Sequence, residues 1–488
     1  MLIAALARAW VGTTLWVTGA ATAGATSGGG AHASTPARPA TQPTAEAAPL
    51  RVQIRVLRLS PTGSRVVPIS NGVPLPPGAL RAGEVGRVHI RVGGVEVPAS
   101  VRPLQGTHPD GSLRSVLVQF RMDFGVDTAR AGVLYLGAPT VATSTAAGPV
   151  VPVRSVPEAV VLPTDPEYLV RTLLVGPTRS AERTATLGAA FLQYDRAFGP
   201  AADAHWKAET DTWENNYYDR AHVYFAQWVR TANPTYFVRA VRQAAVYRRG
   251  YLEPGEYRAS PHWSQLQGVA EHYLLTGDEA SRTAVARTAE SMWGGVANGP
   301  LNRWDQRIVG RLLQAQLLSY QLNGTPGQLQ PRSWTSRIEQ IVGEVARWQR
   351  PDGGYDTGSS WCHAQPNFMV GLLNDALMES YRTYRPDPRA LLVVRRGVDF
   401  LWRTQWRAAA GGFQYMSRPC RENTTDPAGD LNGLMVAPFG WLAKITGEDA
   451  YRRQGDAVFA ALVRNEYLTG SKQFNQAYAL SYKYLGYR

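Results

Sequence analysis

Two kinds of hydrophobic pattern divide the chain. Between residues 50 and 155, apolar and polar positions alternate in RVQIRVLRL, VGRVHIRVGG and RSVLVQFRMDF. The turn-forming stretches SPTGS, SNGVPLPPG and HPDGS separate them. Alternation with a period of two is typical of strands with one buried face. The pattern therefore predicts a small antiparallel β-sandwich or barrel over residues 50–155.

From residue 156 to residue 488 the pattern repeats one plan, a helix, a tight turn and a second helix. The turns RTANPTY, LTGDEAS, LNGTPGQ, YRPDPRA and ITGEDAY supply residues that end one helix and begin the next. The first helices of the pairs are predicted to begin near Tyr217, His262, Arg303, Pro366 and Asp430, with a last one in KQFNQAYALSYKYLGYR. The second helices are predicted near 178–197, 235–250, 278–294, 333–350, 387–406 and 448–465.

Six such pairs predict an (α/α)6 toroid, in which six inner helices are ringed by six outer ones. Repeated hairpins bury their apolar faces by stacking on their neighbours, and a closed ring needs no capping repeat. The predicted fold class is multidomain α and β, with the small antiparallel β-sandwich or barrel followed by the (α/α)6 toroid. An open array of helical hairpins is the alternative, and the irregular spacing of the inner helices speaks against it.

The first 49 residues have neither pattern. Arg8 precedes an apolar stretch, and Ala31, His32 and Ala33 offer a small-x-small cleavage site, which is typical of a signal peptide over residues 1–33. Residues 34–49 are predicted to be a disordered linker. The apolar stretch is too short for a good membrane span. We therefore expect a secreted or periplasmic monomer without stable membrane insertion.

Two cysteines, Cys362 and Cys420, lie in polar loops of the chain. In an exported protein such a pair favours a disulfide over a metal site. No cluster of residues has the spacing of metal ligands. We predict the Cys362–Cys420 disulfide, no metal site and no cofactor.

The net charge of +13 indicates what kind of partner the protein attracts. A positive field of that size favours a polyanion, although an arginine-rich composition alone can also produce it. No basic run has the length expected of a nucleic-acid patch. An acidic polysaccharide or oligosaccharide is therefore the predicted partner, rather than a nucleic acid.

The predicted ring places its candidate functional residues on one face. Parallel inner helices present their N-terminal ends together, and the polar and aromatic segments that lead into them are long, whereas the turns on the other face are short. Long loops on a rigid scaffold are where binding sites usually lie. Helix N-termini add partial positive charge, which favours an anionic ligand.

The candidate residues come from these leading segments. The catalytic candidates are Tyr217, Tyr218, His262, Asn216 and Asp219. The substrate-binding candidates are Trp213, Glu214, Asn215, Trp263, Arg303, Trp304, Asp305, Arg307, Trp361, His363 and Lys472. Each has a structural alternative: the tryptophans can staple the core, the aspartates can cap helices, and Arg303 and Arg307, expected one helical turn apart, can serve internal acids instead of clamping a carboxylate.

Three functions are compatible with these residues. A polysaccharide lyase removes a proton next to a uronate carboxylate, for which Tyr or His can transfer protons and Asn or Arg can neutralise the carboxylate. A glycoside hydrolase needs two carboxylates, for which the candidates are Asp211, Glu214, Asp219, Asp305 and Asp430. A polysaccharide-binding protein without catalysis is the third. The charge and the Asn–Tyr cluster favour the lyase.

Several stretches also resemble known enzymes. NGVPLPPGALR followed by HPDGSLRSVLVQF resembles the N-terminal β domain of the exo-rhamnogalacturonan lyase family. EHYLLTGDEASR and QPNFMVGLLNDALMESY are similar to toroid segments of those lyases and of unsaturated-glucuronyl hydrolases. The resemblance implies a carbohydrate-active toroid enzyme. It implies no catalytic set, because no active-site motif of the family matches residue by residue.

Overall fold

A computed structural model describes residues 50–60, 65–137, 149–207, 211–324, 333–358, 362–420 and 424–488. The predicted signal peptide and linker lie outside these residues. Residues Ala47–Arg488 group as one compact unit. The β part and the helices therefore pack against each other.

The β part consists of two antiparallel sheets. Its strands are β1 (Leu50–Arg58), β2 (Val66–Pro74), β3 (Val88–Val92), β4 (Val95–Glu96), β5 (Ser100–Pro103), β6 (Ser115–Asp123), β7 (Ala129–Leu136) and β8 (Ala159–Pro163). One sheet has the order β4-β3-β7-β1-β8 and the other β2-β6-β5. In β1 the side chains of Val52, Ile54 and Val56 are buried and alternate with exposed arginine and glutamine, as the sequence pattern predicts. Strand β8 pairs with β1 and lies beyond the predicted boundary at residue 155.

Strands β2 and β6 join the β part to the helices. Asn71 Nδ2 donates to the Val161 carbonyl, and Asn71 Oδ1 accepts from the Val161 N–H, so this side chain links the two sheets. On the helical side, Ser115 Oγ donates to the Leu274 carbonyl at 2.6 Å. A Cβ added at Gly72 would lie 2.0 Å from that carbonyl oxygen, so the contact requires glycine.

The helical part contains fifteen α-helices within the described residues. They are α1 (Pro166–Arg171), α2 (Ala181–Ala185), α3 (Ala189–His205), α4 (Arg220–Thr231), α5 (Pro234–Tyr247), α6 (Gln267–Thr276), α7 (Glu279–Val296), α8 (Gln306–Gln321), α9 (Trp334–Trp348), α10 (Asn367–Thr383), α11 (Pro388–Phe400), α12 (Ala437–Thr446), α13 (Asp449–Asn465), α14 (Ser471–Tyr478) and α15 (Ser481–Tyr487). Two short strands, β9 (Trp406–Arg407) and β10 (Gly412–Phe413), follow α11.

Burial separates inner from outer helices. In α4, every residue except Thr231 is buried, which is expected of a helix enclosed on all sides. In α13 the buried residues form one stripe that includes Tyr451, Gly455 and Val458. The inner helices are α4, α6, α8, α10, α12 and the α14–α15 pair, and the outer helices are α3, α5, α7, α9, α11 and α13. The predicted (α/α)6 arrangement is confirmed.

The ring is closed by the last helix. The Tyr482 hydroxyl of α15 lies 2.7 Å from His222 Nε2 of α4. The neighbouring Lys483 Nζ donates to both carboxylate oxygens of Asp375 in α10, at 2.7 and 2.8 Å. Helices distant in sequence are therefore held together by buried polar bonds, so the open array is wrong.

Two kinds of predicted boundary are wrong. Four inner helices begin later than predicted, because short 3-10 segments such as Trp213–Asn216, Pro261–Trp263 and Leu301–Arg303 precede them, whereas α10 begins at Asn367, as predicted. The first outer helix was expected near 178–197 but is Ala189–His205, because the helix starts after Gly188 and continues through Pro200. A proline inside a helix usually ends or kinks it, which is why the sequence favoured an earlier end.

Candidate active site

The N-terminal ends of the inner helices and the segments leading into them form one face of the ring, which we call the mouth. Arg311 in α8 donates to the backbone carbonyl of His262, which precedes α6. Asn475 in α14 donates to the carbonyls of Asn215 and Tyr217, which precede α4, at 2.9 and 2.7 Å. Segments separated by long stretches of sequence thus meet at the mouth, as predicted.

Tyr217 is surrounded by positive charge. Arg307 Nη1 donates to its hydroxyl oxygen at 3.1 Å. The Arg311 guanidinium lies 5.6 Å and Lys472 Nζ 5.8 Å from the centre of its ring. The edge-to-face contact with Trp263, at 4.6 Å between ring centres, fixes the ring orientation. The mouth can therefore hold an anionic group beside the Tyr217 hydroxyl.

A line of polar groups extends from Tyr217 to His262. Arg307 Nη2 donates to Asp305 Oδ2 at 3.2 Å, and His262 Nε2 lies 3.9 Å from the same oxygen. Burial and the charges of Arg307 and Arg311 lower the pKa of His262 from 6.5, while Asp305 opposes them. His262 is therefore neutral at neutral pH and can accept a proton.

Two guanidinium groups at the mouth carry buried donors that lack a partner. Arg307 Nε and Arg311 Nη2 are buried and have no hydrogen-bond acceptor among the described residues. Burial and the neighbouring Arg307 charge lower the pKa of Arg311. Unpaired buried donors are costly in a folded protein. An anionic ligand beside these side chains would relieve the repulsion between the two cations.

The backbone is strained beside Tyr217. Tyr218 and Asp219 both have left-handed conformations, with φ of 62° and 57°. For residues other than glycine this costs about 1–3 kcal/mol each, and such strain clusters at functional sites. The strain turns the chain sharply from the leading segment into α4, so that Tyr217 and Tyr218 face different surroundings.

Tyr218 does not suit the proton-transfer role predicted for it. Its side chain is 4% exposed, and burial raises its pKa to about 12. It lines an axial cavity of about 30 Å³ below the mouth, with Asp219, His222 and Gln265. Tyr218 is thus part of the wall of this cavity, and its role in proton transfer stays a prediction.

Asp219 is a helix cap. Its Oδ1 accepts from the His222 backbone N–H at 3.3 Å and its Oδ2 from the Gly268 N–H at 3.1 Å. The carboxylate thus joins the starts of α4 and α6. Burial raises its pKa. The structural alternative to catalysis is therefore the better account of Asp219.

The preceding residues of the Asn–Tyr cluster also have structural partners. Asn216 is fully buried and its Oδ1 accepts from the Ala221 N–H at 3.0 Å. Asn215 Nδ2 donates to Asp211 Oδ1 at 2.6 Å. Glu214 is exposed in the 3-10 turn. Asn215 and Asn216 therefore shape the segment that carries Tyr217, and the catalytic role predicted for Asn216 has no support in these contacts.

The candidate tryptophans mostly pack against neighbouring residues of the mouth and hold its segments together. Trp213 stacks on Tyr251, with ring centres 4.3 Å apart, and contacts Trp263 edge to face. Trp304 donates its indole N–H to the Val296 carbonyl at 3.1 Å. All three tryptophans are partly buried. Trp361 lies outside the described residues.

Arg303 and Arg307 do not form the expected clamp. Arg303 precedes α8, and its guanidinium donates at 3.4 Å to the carbonyls of Gly295 and Val296 at the end of α7. The expectation that they lie one helical turn apart is wrong because α8 begins at Gln306, so the two arginines do not share a helix. His363 is exposed.

Beneath the mouth lies a buried hydrogen-bonded chain. His222 Nδ1 lies 2.7 Å from Glu271 Oε1, and its Nε2 lies 2.7 Å from the Tyr482 hydroxyl. Burial lowers the pKa of His222 to about 4 and raises that of Glu271 well above 4.5. A protonated Glu271 can donate to a neutral His222, whose other N–H donates to Tyr482. His222 is thus a core residue.

Three residues of the mouth were missed by the sequence reasoning. Arg311 lies four residues after Arg307 on one helix, and this spacing on a common face was the available signal. Tyr415 is exposed, and its carbonyl accepts from the Asn367 N–H at the start of α10. Neither Tyr415 nor Asn475 belongs to a recognisable motif, so only the fold brings them to the mouth.

The predicted disulfide is confirmed. Cys362 and Cys420 are bonded, with a Cα–Cα distance of 5.6 Å. Across the described ranges, no group of three or more His, Cys, Asp and Glu side chains is placed to hold a metal ion. In the same residues, no helix has the length and apolar character needed to cross a membrane.

Comparisons with known proteins find distant structural similarity. No family model and no curated protein matches the chain. The chain is similar to unsaturated glucuronyl hydrolase from Bacillus sp. GL1, with 14% identity over 53% of this chain and 76% of that chain and a TM-score of 0.40. It is also similar to the Lin0763 protein of Listeria innocua, with 14% identity over 56% of this chain and 84% of that chain and a TM-score of 0.39. Similarity this distant does not establish a function, and the resemblance to exo-rhamnogalacturonan lyases stays a prediction.

Proposed function

We propose that the protein is a secreted polysaccharide lyase that cleaves an acidic polysaccharide at a uronate residue by β-elimination. The observation that carries the proposal is the cationic group of Arg307, Arg311 and Lys472 around Tyr217. The two unpaired guanidinium donors suit a carboxylate, because charge-assisted hydrogen bonds are among the strongest in proteins.

His262 and Tyr217 are the proposed acid–base pair. Neutral His262 takes the C5 proton of the uronate, and the electron pair of that bond forms the C4–C5 double bond as the C4–O bond breaks. Arg307 occupies a lone pair of the Tyr217 hydroxyl, which leaves the O–H free to donate its proton to the departing oxygen. Arg307 then stabilises the phenolate, and Asp305 the imidazolium, until a proton returns from His262 through solvent.

The contacts of the carboxylates favour the lyase over the hydrolase. Asp219 and Asp305 each cap an inner helix. Asp211 is buried and pairs with Arg220, with 3.4 Å between Oδ1 and Nη1. The Asp430 carboxylate lies 3.5 Å from Gln476 Nε2. Asp211, Asp219 and Asp305 serve as caps and ion-pair partners and are therefore poorly placed to act as a catalytic acid and base, which leaves Asp430 and the exposed Glu214 to the hydrolase.

A panel of acidic and neutral polysaccharides tests the proposal. We expect ultraviolet absorbance of an unsaturated uronate to appear with an acidic polymer, and reducing ends to appear in parallel. Reducing ends without that absorbance would show the glycoside hydrolase instead. Binding without either product would show a polysaccharide-binding protein, and neither binding nor product would refute all three functions for the polymers tested.

A further inference from the structure

A second polar pocket lies at the end of the ring opposite the mouth. It has a volume of about 170 Å³ and lies between the hairpin of residues 107–114 and the C-terminal ends of α8 and α10. Arg307 in the first turn of α8 and Gln321 at its end are 14 residues apart, which corresponds to roughly 21 Å along the helix. The pocket is therefore separate from the mouth.

The pocket carries one unneutralised positive charge. Arg114 and Arg382 both line it. Arg382 pairs with Glu379 through Nε and Nη2 at 2.6–2.9 Å. Arg114 forms no ion pair with any acidic residue in the described part of the chain; its Nη1 donates to the neutral Gln321 Oε1 at 2.8 Å. Burial and the Arg382 charge lower the pKa of Arg114 to about 10, and the charges of Glu379 and Glu271 oppose them from beyond ion-pair distance.

The remaining polar wall is neutral and offers both donors and acceptors. It includes Thr107, His108, Tyr320, Asn323 and Thr383. His108 Nε2 donates to the Leu75 carbonyl at 2.9 Å, and burial lowers its pKa to about 4. Its Nδ1 is therefore an acceptor for a ligand hydroxyl. A volume of about 170 Å³ suits a single sugar-sized molecule and not a polymer.

The walls are fixed before any ligand binds. Gln321 accepts from Arg114 and donates to Thr383 Oγ1 at 3.0 Å, which links the hairpin to both helices. Within the hairpin, Asp110 Oδ1 accepts from the Ser112 N–H and hydroxyl at 2.9 and 2.6 Å. A rigid site loses little conformational entropy on binding.

We propose that this pocket binds a small hydroxylated monocarboxylate, such as a free sugar acid, with the carboxylate on Arg114 and the hydroxyl groups on the neutral wall. The site uses the HPDGSLR hairpin, to which the proposed reaction at the mouth gives no role. The inference goes beyond the proposed lyase activity and does not depend on it.

Titration calorimetry with sodium gluconate and sodium glucuronate tests the proposal, with glucose, acetate and inorganic phosphate as comparison ligands. We expect the sugar acids to bind and Arg114→Gln to weaken them about tenfold or more, since a hydrogen bond to a charged group is lost. Asn323→Asp should weaken them roughly two- to fivefold, by placing a like charge at the rim. Asn323 has a φ of 50°, which aspartate tolerates, so this variant tests the site even if Arg114→Gln does not fold.

Two controls separate the pocket from the mouth and from general charge effects. Arg307→Gln alters the mouth and should leave the pocket affinity unchanged, and Arg121→Gln removes an exposed arginine of β6 and should also have no effect. Sugar-acid binding that survives Arg114→Gln and Asn323→Asp but disappears with Arg307→Gln would overturn the proposal. Absence of sugar-acid binding, or equal binding of acetate or phosphate, would overturn it as well.

Discussion

Replacing Lys483 by methionine tests what closes the ring. Lys483 and Asp375 are 2% and 3% exposed, and Nζ lies 2.7 and 2.8 Å from the two carboxylate oxygens. Each hydrogen bond to a charged group contributes about 1.5–3 kcal/mol, and breaking a buried pair from one side costs about 3–5 kcal/mol. We expect Lys483→Met to lower the free energy of unfolding by about 3–5 kcal/mol, measured by urea denaturation followed by circular dichroism.

The dependence of this loss on pH and on the partner identifies its cause. Burial raises the pKa of Asp375, and Lys483 opposes that rise. In Lys483→Met the opposing charge is gone, so the folded-state pKa rises further above the unfolded value near 3.8. The penalty is therefore small at low pH, where Asp375 is protonated, and grows as pH rises. Adding Asp375→Leu should recover most of the stability, because no buried charge then remains.

The exposed pair Arg453–Asp449 is the matched control. Its side chains are 66% and 49% exposed, so Arg453→Met should cost no more than about 1 kcal/mol. A loss below about 1 kcal/mol for Lys483→Met, or a loss that does not change with pH, would refute the account of how the buried pair closes the ring.

Four further outcomes are expected. Reduction of the Cys362–Cys420 disulfide, which spans 58 residues, should lower the free energy of unfolding by about 2–4 kcal/mol. Gly268→Ala should cost about 1–3 kcal/mol by overpacking, because its Cβ would lie 2.6 Å from Asp219 Oδ1 and from the Ala221 Cβ. Lyase activity should fall as pH drops below 6.5 through the lowered pKa of His262, because only the neutral imidazole accepts the C5 proton. In Asp305→Asn, the lost carboxylate no longer raises that pKa, so the acidic limb of the pH profile should move to lower pH.

Each of these expectations has an outcome that contradicts it. Equal denaturation curves with and without reductant would contradict the stabilising role of the disulfide. A Cβ at Gly294 in α7 meets no atom within 4 Å, so Gly294→Ala should stabilise by up to about 1 kcal/mol; equal effects at Gly268 and Gly294 would contradict the packing argument. An acidic limb that moves to higher pH in Asp305→Asn would contradict the role of His262 as base.

The hairpin plan of the ring was predictable because its signals are local. Gly277 and Gly447 end α6 and α12 with φ of 73° and 74°, a conformation in which glycine is favoured. The outer helices α7 and α13 each begin two residues after these glycines. The Asp278 side chain caps α7 by accepting a hydrogen bond from the Ala280 N–H. The positions where these helices end and begin therefore depend on neighbouring residues alone. The end of α3 was not predictable in this way, because Pro200 is tolerated within that helix.

The site was predictable in location and only partly in its members. Tyr217 and Arg307 are 90 residues apart, and the parallel inner helices were enough to place both at one face. The residues that they contact could not be predicted, because the 3-10 turns that precede the helices decide where each side chain points. Arg303 thereby turns to the end of α7, and the left-handed backbone at Tyr218 and Asp219 turns Tyr218 into the ring.

Removal of one hydroxyl tests the central claim most directly. Tyr217→Phe keeps the ring that packs on Trp263 but removes the proposed proton donor, and Tyr135→Phe in β7 is the matched control away from the mouth. On an acidic polysaccharide that the unaltered protein cleaves, we predict that Tyr217→Phe slows the formation of unsaturated uronate by about a hundredfold to ten-thousandfold, with unchanged circular dichroism, while Tyr135→Phe does not. A Tyr217→Phe protein that forms this product at the rate of the unaltered protein would contradict the account.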